Sequence, residues 1–328
     1  MSALVFFKLF AIFVVVAIGW VVGKLKWLGP AEAGADPART LAHAAYYIFV
    51  PALLFRTTAR IAFETMPWGT LVAAFVPLLV MLIGVYAWHK RGARAGRLPT
   101  AAPGVRAISA VFGNTVQVGI PMAAALFGEA GLQIHLAIVS LHALVLLTLT
   151  TALVELDLAH AQRALGATSH LAATLVATAR NTLIHPVVSP VLAGLLFNAL
   201  GLPLPGVADE ILQTLGQAVV PLCLVLIGMS LAYYGVQGAA RAAVGLAVLK
   251  LLVLPGLVLA VAHWGFHLRG LPLAVVVMMS ALPIGSNALI FAQRYRTLEA
   301  ETTAATVLST LAFAATAPLW LVLLAALH

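Results

Sequence analysis

The sequence predicts an all-α polytopic membrane protein: ten transmembrane helices in two inverted five-helix repeats, with the fourth and ninth helices broken. Three observations lead there. The 328 residues are 63% hydrophobic and only 9% charged, with a mean hydropathy of +1.08, far more apolar surface than one soluble core can take in. The apolar stretches are each about 20 residues long, the length that crosses a bilayer. Features of the first half also recur, in order, in the second.

Taken along the chain, spans are expected at 3–23, 39–58, 67–88, 102–127, 131–153, 182–201, 208–233, 240–263, 271–293 and 303–327. No basic residue precedes the first span, while Lys24 and Lys26 follow it; a cleaved signal peptide has the opposite polarity. With the N-terminus outside, the inner loops hold most of the basic residues, including Lys90, Arg91, Arg94 and Arg97, as the positive-inside rule requires. Both termini are therefore expected on the outer side. The net charge of +8 then serves topology, and no nucleic-acid partner is expected.

Glu155 to Asn181 is rich in Ala and Leu with Arg and His interspersed, which suits a helix lying along the membrane surface. It divides the chain into a first repeat, residues 1–155, a connecting segment, 156–181, and a second repeat, 182–328. A shift of 170 residues sets Val50-Pro51 on Val220-Pro221 and Leu54 on Leu224, and brings the two broken spans together within a few residues. Each half holds an odd number of spans, so the second copy must enter the membrane upside down. That is the inverted repeat of alternating-access carriers.

The first break is Phe112-Gly113-Asn114-Thr115-Val116-Gln117-Val118-Gly119-Ile120-Pro121. Pro121 cannot donate to the Gln117 carbonyl, and Gly113 and Gly119 loosen the helix before it. The second is Leu282-Pro283-Ile284-Gly285-Ser286-Asn287. In hydrocarbon an open backbone is tolerated only where protein covers it or where it lines a polar cavity, and two interrupted spans in corresponding halves point to a carrier's binding site. Asn114 and Gln117, three apart, face one side of a helix. They either hydrogen-bond a ligand or satisfy the carbonyls that Pro121 frees. Ser286 and Asn287 play the matching part in the second half. The amides that open each outgoing half-helix favour an anion. Gly119, Gly285, Pro121 and Pro283 shape the crossing and need not touch the ligand, and Pro51 and Pro221 read as kinks.

Lys250 lies about eleven residues into the eighth span, near mid-depth. An intramembrane cation is a functional candidate: it holds a carboxylate ligand or binds carbonyls freed in the other half. Lys8, near the outer surface, snorkels. His142, in the fifth span, is either a packing residue or a proton carrier. All ten Asp and Glu residues map to loops or span ends, so a buried sodium site or carboxylate relay has no side-chain ligands in view. With one cysteine, Cys223, and scattered histidines, neither a disulfide nor a metal site is expected. No cofactor is expected either: a P-loop is missing, and Ser286 has no histidine base within its span or the matching one, which argues against an enzyme.

These residues carry a resemblance. Phe49-Val50-Pro51-Ala52-Leu53-Leu54-Phe55, Asn114-Thr115 followed by Gly119-Ile120-Pro121, Pro221-Leu222 with Leu226-Ile227-Gly228-Met229-Ser230-Leu231, and Leu282-Pro283-Ile284-Gly285-Ser286-Asn287 together resemble the auxin efflux carrier family. They are most similar to its bacterial, malonate-transporter-like branch, over essentially the whole length. The resemblance implies a bile-acid-symporter-like fold with a scaffold domain made of the first two spans of each repeat. The other three spans of each form a transport domain that moves as an elevator. It places an organic anion beside the crossing of the fourth and ninth spans, and by motif match the family's binding-site asparagine falls on Asn114. His185-Pro186 stands where the family often has Asn-Pro, and the ninth span departs from the plant carriers after its first proline, which favours a small carboxylate over auxin.

The expected function is a secondary transporter of small organic anions of the malonate or malate type, with auxin-like acids as a further class. Its substrate-binding residues are Asn114, Gln117, Ser286, Asn287 and Lys250, and its helix-break residues Gly113, Gly119, Pro121, Pro283 and Gly285. Transport is driven by membrane potential, or protons travel on the substrate. The rivals are a sodium-coupled symporter of the bile-acid type and a non-transporting metabolite sensor. The expected setting is a bacterial inner membrane, with the lipid bilayer and a second copy of the chain, in a homodimer, as partners.

Overall fold

A computed structural model describes residues 3–29, 36–60, 67–164, 180, 183–184, 186, 188–234 and 240–327. Among them every regular element is helical, and the one isolated β-bridge joins Gly113 to Ile284. In order, the helices are α1 (Ala3–Lys24), α2 (Pro37–Ala59), α3 (Trp68–Arg94), α4 (Ala102–Val111), α5 (Ile120–Ala164), α6 (Val188–Ala199), α7 (Gly206–Tyr234), α8 (Arg241–Gly265), α9 (Gly270–Ser280), α10 (Ser286–Arg294) and α11 (Glu299–Ala325). Helices α2, α3, α7, α8, α11 and the Leu126–Ala161 part of α5 are long and apolar enough to cross a membrane, while Val14–Lys24, Val188–Ala199 and Gly270–Ser280 are shorter apolar helices. Large apolar side chains such as Trp88, Leu200, Val207 and Val322 are exposed, as on a surface that meets lipid rather than water.

Local chemistry sets several of these elements. Asp36 caps α2 by accepting from the Arg39 N–H at 3.1 Å, and Pro37 takes the first helical position, where a missing N–H costs nothing. Of the four described π turns, Ala45–Phe49, Thr115–Gly119 and Leu249–Val253 each end two residues before a proline, namely Pro51, Pro121 and Pro255, while Val261–Gly265 has none there. A proline cannot donate to the carbonyl four residues back, and its ring crowds that carbonyl. Widening the preceding turn relieves both problems. The third turn's Leu251 carbonyl accepts from the Trp320 indole N–H of α11 at 2.8 Å. Gly128, with φ 62°, bends α5 into two arms.

The expected spans 102–127 and 271–293 are both interrupted, at 112–114 and 281–285. The fifth expected span is longer than 131–153, because α5 runs on to Ala164. Its last turns bury polar side chains through distant partners: Asp157 accepts from Tyr86 Oη at 2.6 Å and Lys90 Nζ at 2.7 Å, and Glu155 accepts from Tyr295 Oη at 2.9 Å. Most of the segment expected to lie on the membrane surface, residues 165–179, falls outside the described residues.

Helix α1 packs along α7, and α2 packs against α6 and α7. At the far end of α2, Asp209 of α7 receives Arg56 at 2.8 Å and Arg60 at 2.6 Å, while Asn198 of α6 donates to the Ala59 carbonyl at 3.0 Å. Elsewhere α3 packs on α4 and α8, α8 on α11, and α9 on α5 and α11. Arg106 counts as an inner-loop charge in the sequence. The structure places it inside α4, donating twice to Glu301 of α11 at 2.7 and 2.8 Å, with side chains 18% and 7% exposed. Removing one member of a buried pair strands the other. Glu301→Gln is therefore expected to destabilise the protein by about 3 kcal/mol, read as a lowered unfolding midpoint in detergent. Removing both charges, as Arg106→Leu with Glu301→Leu, should restore most of the loss.

Candidate functional site

The two interrupted spans meet at mid-molecule. Helix α4 stops at Val111 and Phe112 turns extended, with φ −76° and ψ 107°. The chain then runs antiparallel to the other break. The Asn114 N–H donates to the Pro283 carbonyl at 2.8 Å, and the Gly285 N–H donates to the Phe112 carbonyl at 2.9 Å. Each break thus satisfies backbone groups that the other leaves open, as a water-free interior demands. Ser309 Oγ of α11 accepts the Ile284 N–H at 3.0 Å. His135 Nε2 bonds the Thr115 carbonyl at 2.7 Å, taking up a carbonyl of the π turn. Gly285 has to be glycine for a steric reason: a Cβ there would stand 2.8 Å from the Gly113 oxygen. At Gly119 a Cβ would stand 2.6 Å from His135 Nε2. Gly113 is less constrained, since the nearest atoms to its Cβ position are 3.5 Å away.

A cavity opens beside this bridge, with about 70 Å3 available to the centres of water molecules, enough for several waters or a small ligand. Asn114, Thr115, Ser286 and Asn287 line it together with Phe112, His142, Tyr46 of α2 and Ser230 of α7. Asn114 and Thr115 are each 4% exposed. Ser286 and Asn287 open α10, so the positive end of that helix faces the cavity. Among the lining residues there is no carboxylate. A second cavity of about 270 Å3 shares Arg39, Ala42, Tyr46, Ile290 and Gln293 with the first and adds His43, Tyr47, Pro186 and Arg294. The two exposed arginines, Arg39 of α2 and Arg294 of α10, therefore stand where the inner cavity widens toward one end of the bundle.

The structure brings Asn114, Ser286 and Asn287 to one cavity, and sets Gly113, Gly119, Pro283 and Gly285 in and around the crossing. The Gln117 and Pro121 side chains lie outside what the structure describes. Lys250 is fully buried behind the crossing, its Nζ 3.5 Å from where a Cβ on Gly113 would stand, and it donates to the Ser280 carbonyl at the end of α9. The sequence leaves open a carboxylate ligand or a carbonyl of the other half; the carbonyl Lys250 binds is one at a helix end in its own half. The sequence reading missed His135, whose partner is twenty residues away and visible only in the fold. It also missed Ser230 as a site residue, which lies in the Leu226–Leu231 motif of the seventh span but carries no signal of facing a cavity.

A family model described as "Membrane transport protein" matches residues 4–321 of the chain. An uncharacterized transporter of Methanothermobacter thermautotrophicus is 26% identical to it over 289 residues, which cover 86% of each protein.

Proposed function

The chain belongs to the membrane transport protein family, the auxin efflux carriers, and from that premise we propose that it carries small organic anions of the malonate or malate type across the membrane. One observation carries this reading: the cavity at the meeting of two interrupted helices, walled by Asn114, Thr115, Ser286 and Asn287 and with no carboxylate among its described lining residues. The side-chain amides of Asn114 and Asn287 donate to a carboxylate's oxygens, and the α10 N-terminus adds its partial positive charge. Lys250 anchors the end of α9, just before the crossing, by its bond to Ser280 and adds positive potential from behind. Arg39 and Arg294 at the mouth draw anions in, because exposed charges of one sign raise the local concentration of their counter-ions.

Movement follows an elevator. Helices α1, α2, α6 and α7, which pack on one another, form the scaffold, held in a homodimer, and the remaining helices carry the crossing past it. The mouth faces the basic side of the bilayer, the inner face of a bacterial plasma membrane, and the two halves are inverted copies related through the crossing.

The test is uptake of labelled malonate, malate, other small carboxylates and indole-acetate into proteoliposomes, with and without sodium, for wild type and Asn114→Ala. Uptake of at least one acid, indifferent to sodium and reduced at least tenfold in the variant, is the expected result. Dependence on sodium would replace this reading with the sodium-coupled one. Binding of an acid without flux would point to a sensor, and indifference to every acid would overturn the organic-anion reading.

A further inference from the structure

Two of the three histidines on the long arm of α5, His135 and His142, have opposite fates. His135 bonds the Thr115 carbonyl and has a structural partner. His142, two turns on, is 1% exposed, yet neither its Nδ1 nor its Nε2 has a hydrogen-bond partner among the described residues. A neutral imidazole carries one donor and one acceptor, and burying both unmatched is costly. Packing alone does not explain the position, since a Leu or Met would fill it without that cost. The ring lies 4.5 Å from the Phe112 ring at a 55° tilt, and Phe112 is the residue whose carbonyl closes the crossing. His142 is also a wall of the same cavity as Asn114, Ser286 and Asn287. Its unmatched nitrogens therefore belong to whatever enters there.

We propose that His142 pairs as an imidazolium with a carboxylate of the bound anion, so that each substrate crosses together with one proton. This rests on the anion-carrier reading of the crossing and adds its coupling ion. The surroundings leave His142 as the group able to do it. Helix α2 contributes Arg39 and Tyr46 to the cavity, α7 contributes Ser230, and α10 contributes Asn287 and Gln293. None of these exchanges a proton near neutral pH. Lys250 of α8 and His135 of the same helix are the charged and titratable groups that act on the ring from behind; Lys250 donates to Ser280 and His135 bonds Thr115. A second positive charge beside Lys250 is favourable only when an anion stands close to both, so gain of the proton and gain of the substrate are one event. By linkage the same coupling acts in reverse: a proton that binds with the anion makes the anion bind tighter as pH falls. A monocarboxylate then crosses with no net charge, and a dicarboxylate dianion carries one.

The experiment uses the full chain in proteoliposomes containing a trapped pH-sensitive dye, with the membrane potential clamped by potassium and valinomycin. The probe is the labelled acid with the highest uptake among those tried above. For wild type, internal acidification of about one proton per labelled molecule is expected, above that of protein-free vesicles. Apparent affinity should weaken by about tenfold per pH unit on the alkaline side. His142→Gln keeps a donor and an acceptor but cannot titrate. It should lose the acidification and flatten the pH dependence while Asn114 still governs binding. Uptake by wild type with no accompanying protons overturns the proposal without need of any variant. So does His142→Gln with the wild-type proton count, because the proton would then ride on the substrate or elsewhere. If wild type moves sodium-independent acid and Asn114→Ala abolishes it in either of those cases, the carrier reading stands and only the His142 proposal falls. If no acid moves at all, both fall together.

Discussion

Gly228→Ala is expected to prevent α1 and α7 from docking and so to lose most of the folded protein. A Cβ at Gly228 would stand 2.0 Å from the Val16 carbonyl oxygen and 2.6 Å from the Trp20 backbone nitrogen. Neither neighbour is a flexible side-chain tip; both belong to the backbone of α1. The reverse face is equally tight, since a Cβ at Gly19 would meet the Val225 carbonyl oxygen at 2.1 Å. The two helices therefore touch backbone to backbone, the way small residues let membrane helices approach. One added methyl must push them apart by more than 1 Å, which unseats every contact along the pair. Overpacking of this kind costs about 3 kcal/mol or more. The measurement is the monodisperse fraction and unfolding midpoint after purification in mild detergent. Gly245→Ala is the control: nothing lies within 4 Å of its Cβ position, so the change is expected to stay within about 0.5 kcal/mol. Equal loss in both variants would show that the seam has no special role.

This seam also shows what could be read from the chain and what could not. Leu226-Ile227-Gly228-Met229-Ser230-Leu231 stands out in the sequence as a motif, yet its reason lies in α1, some two hundred residues earlier. The breaks at 112–114 and 281–285 were legible because glycine, proline and amides inside apolar runs have few structural explanations. Their mutual pairing through Asn114 to Pro283 and Gly285 to Phe112 was not, because a backbone bond leaves no trace in side-chain identity. Charges misled where their partners are remote. Arg106 reads as one more inner-side charge, near the start of the span 102–127, until Glu301, 195 positions away, is seen to pair with it. Glu155 and Asp157 read as the end of a span, but Tyr295, Tyr86 and Lys90 satisfy them and let α5 continue to Ala164. Depth in the span singled out His142 and passed over His135, but only partners, or the lack of them, show what each ring does.

Gly285→Ala is expected to abolish uptake while leaving a substantial fraction of the protein folded. The Cβ it adds would stand 2.8 Å from the Gly113 oxygen and 3.0 Å from both the Gly113 carbon and Phe112 Cδ1. Those atoms belong to the strand-like pair at the centre of the cavity wall, where the Gly285 N–H reaches Phe112 and the Asn114 N–H reaches Pro283. The clash is shallower than at Gly228, so the break between α9 and α10 shifts and the helices stay associated. A shift of that size rotates Ser286 and Asn287, the first residues of α10, away from Asn114, and loosens the Phe112 ring that packs on His142. Misplacing binding groups by about 1 Å costs on the order of a hundredfold in a site that depends on converging donors. Gly113→Ala is the informative partner. Its Cβ would meet Lys250 and Leu282 no closer than 3.5 Å, ordinary contact, so the crossing itself tolerates a methyl there and uptake should fall by less than about threefold. Initial uptake rates for the two variants, normalised to folded protein, separate a requirement for this bridge geometry from a general intolerance of side chains at mid-membrane. Comparable losses at both positions would count against the bridge as the part that holds the anion site in register.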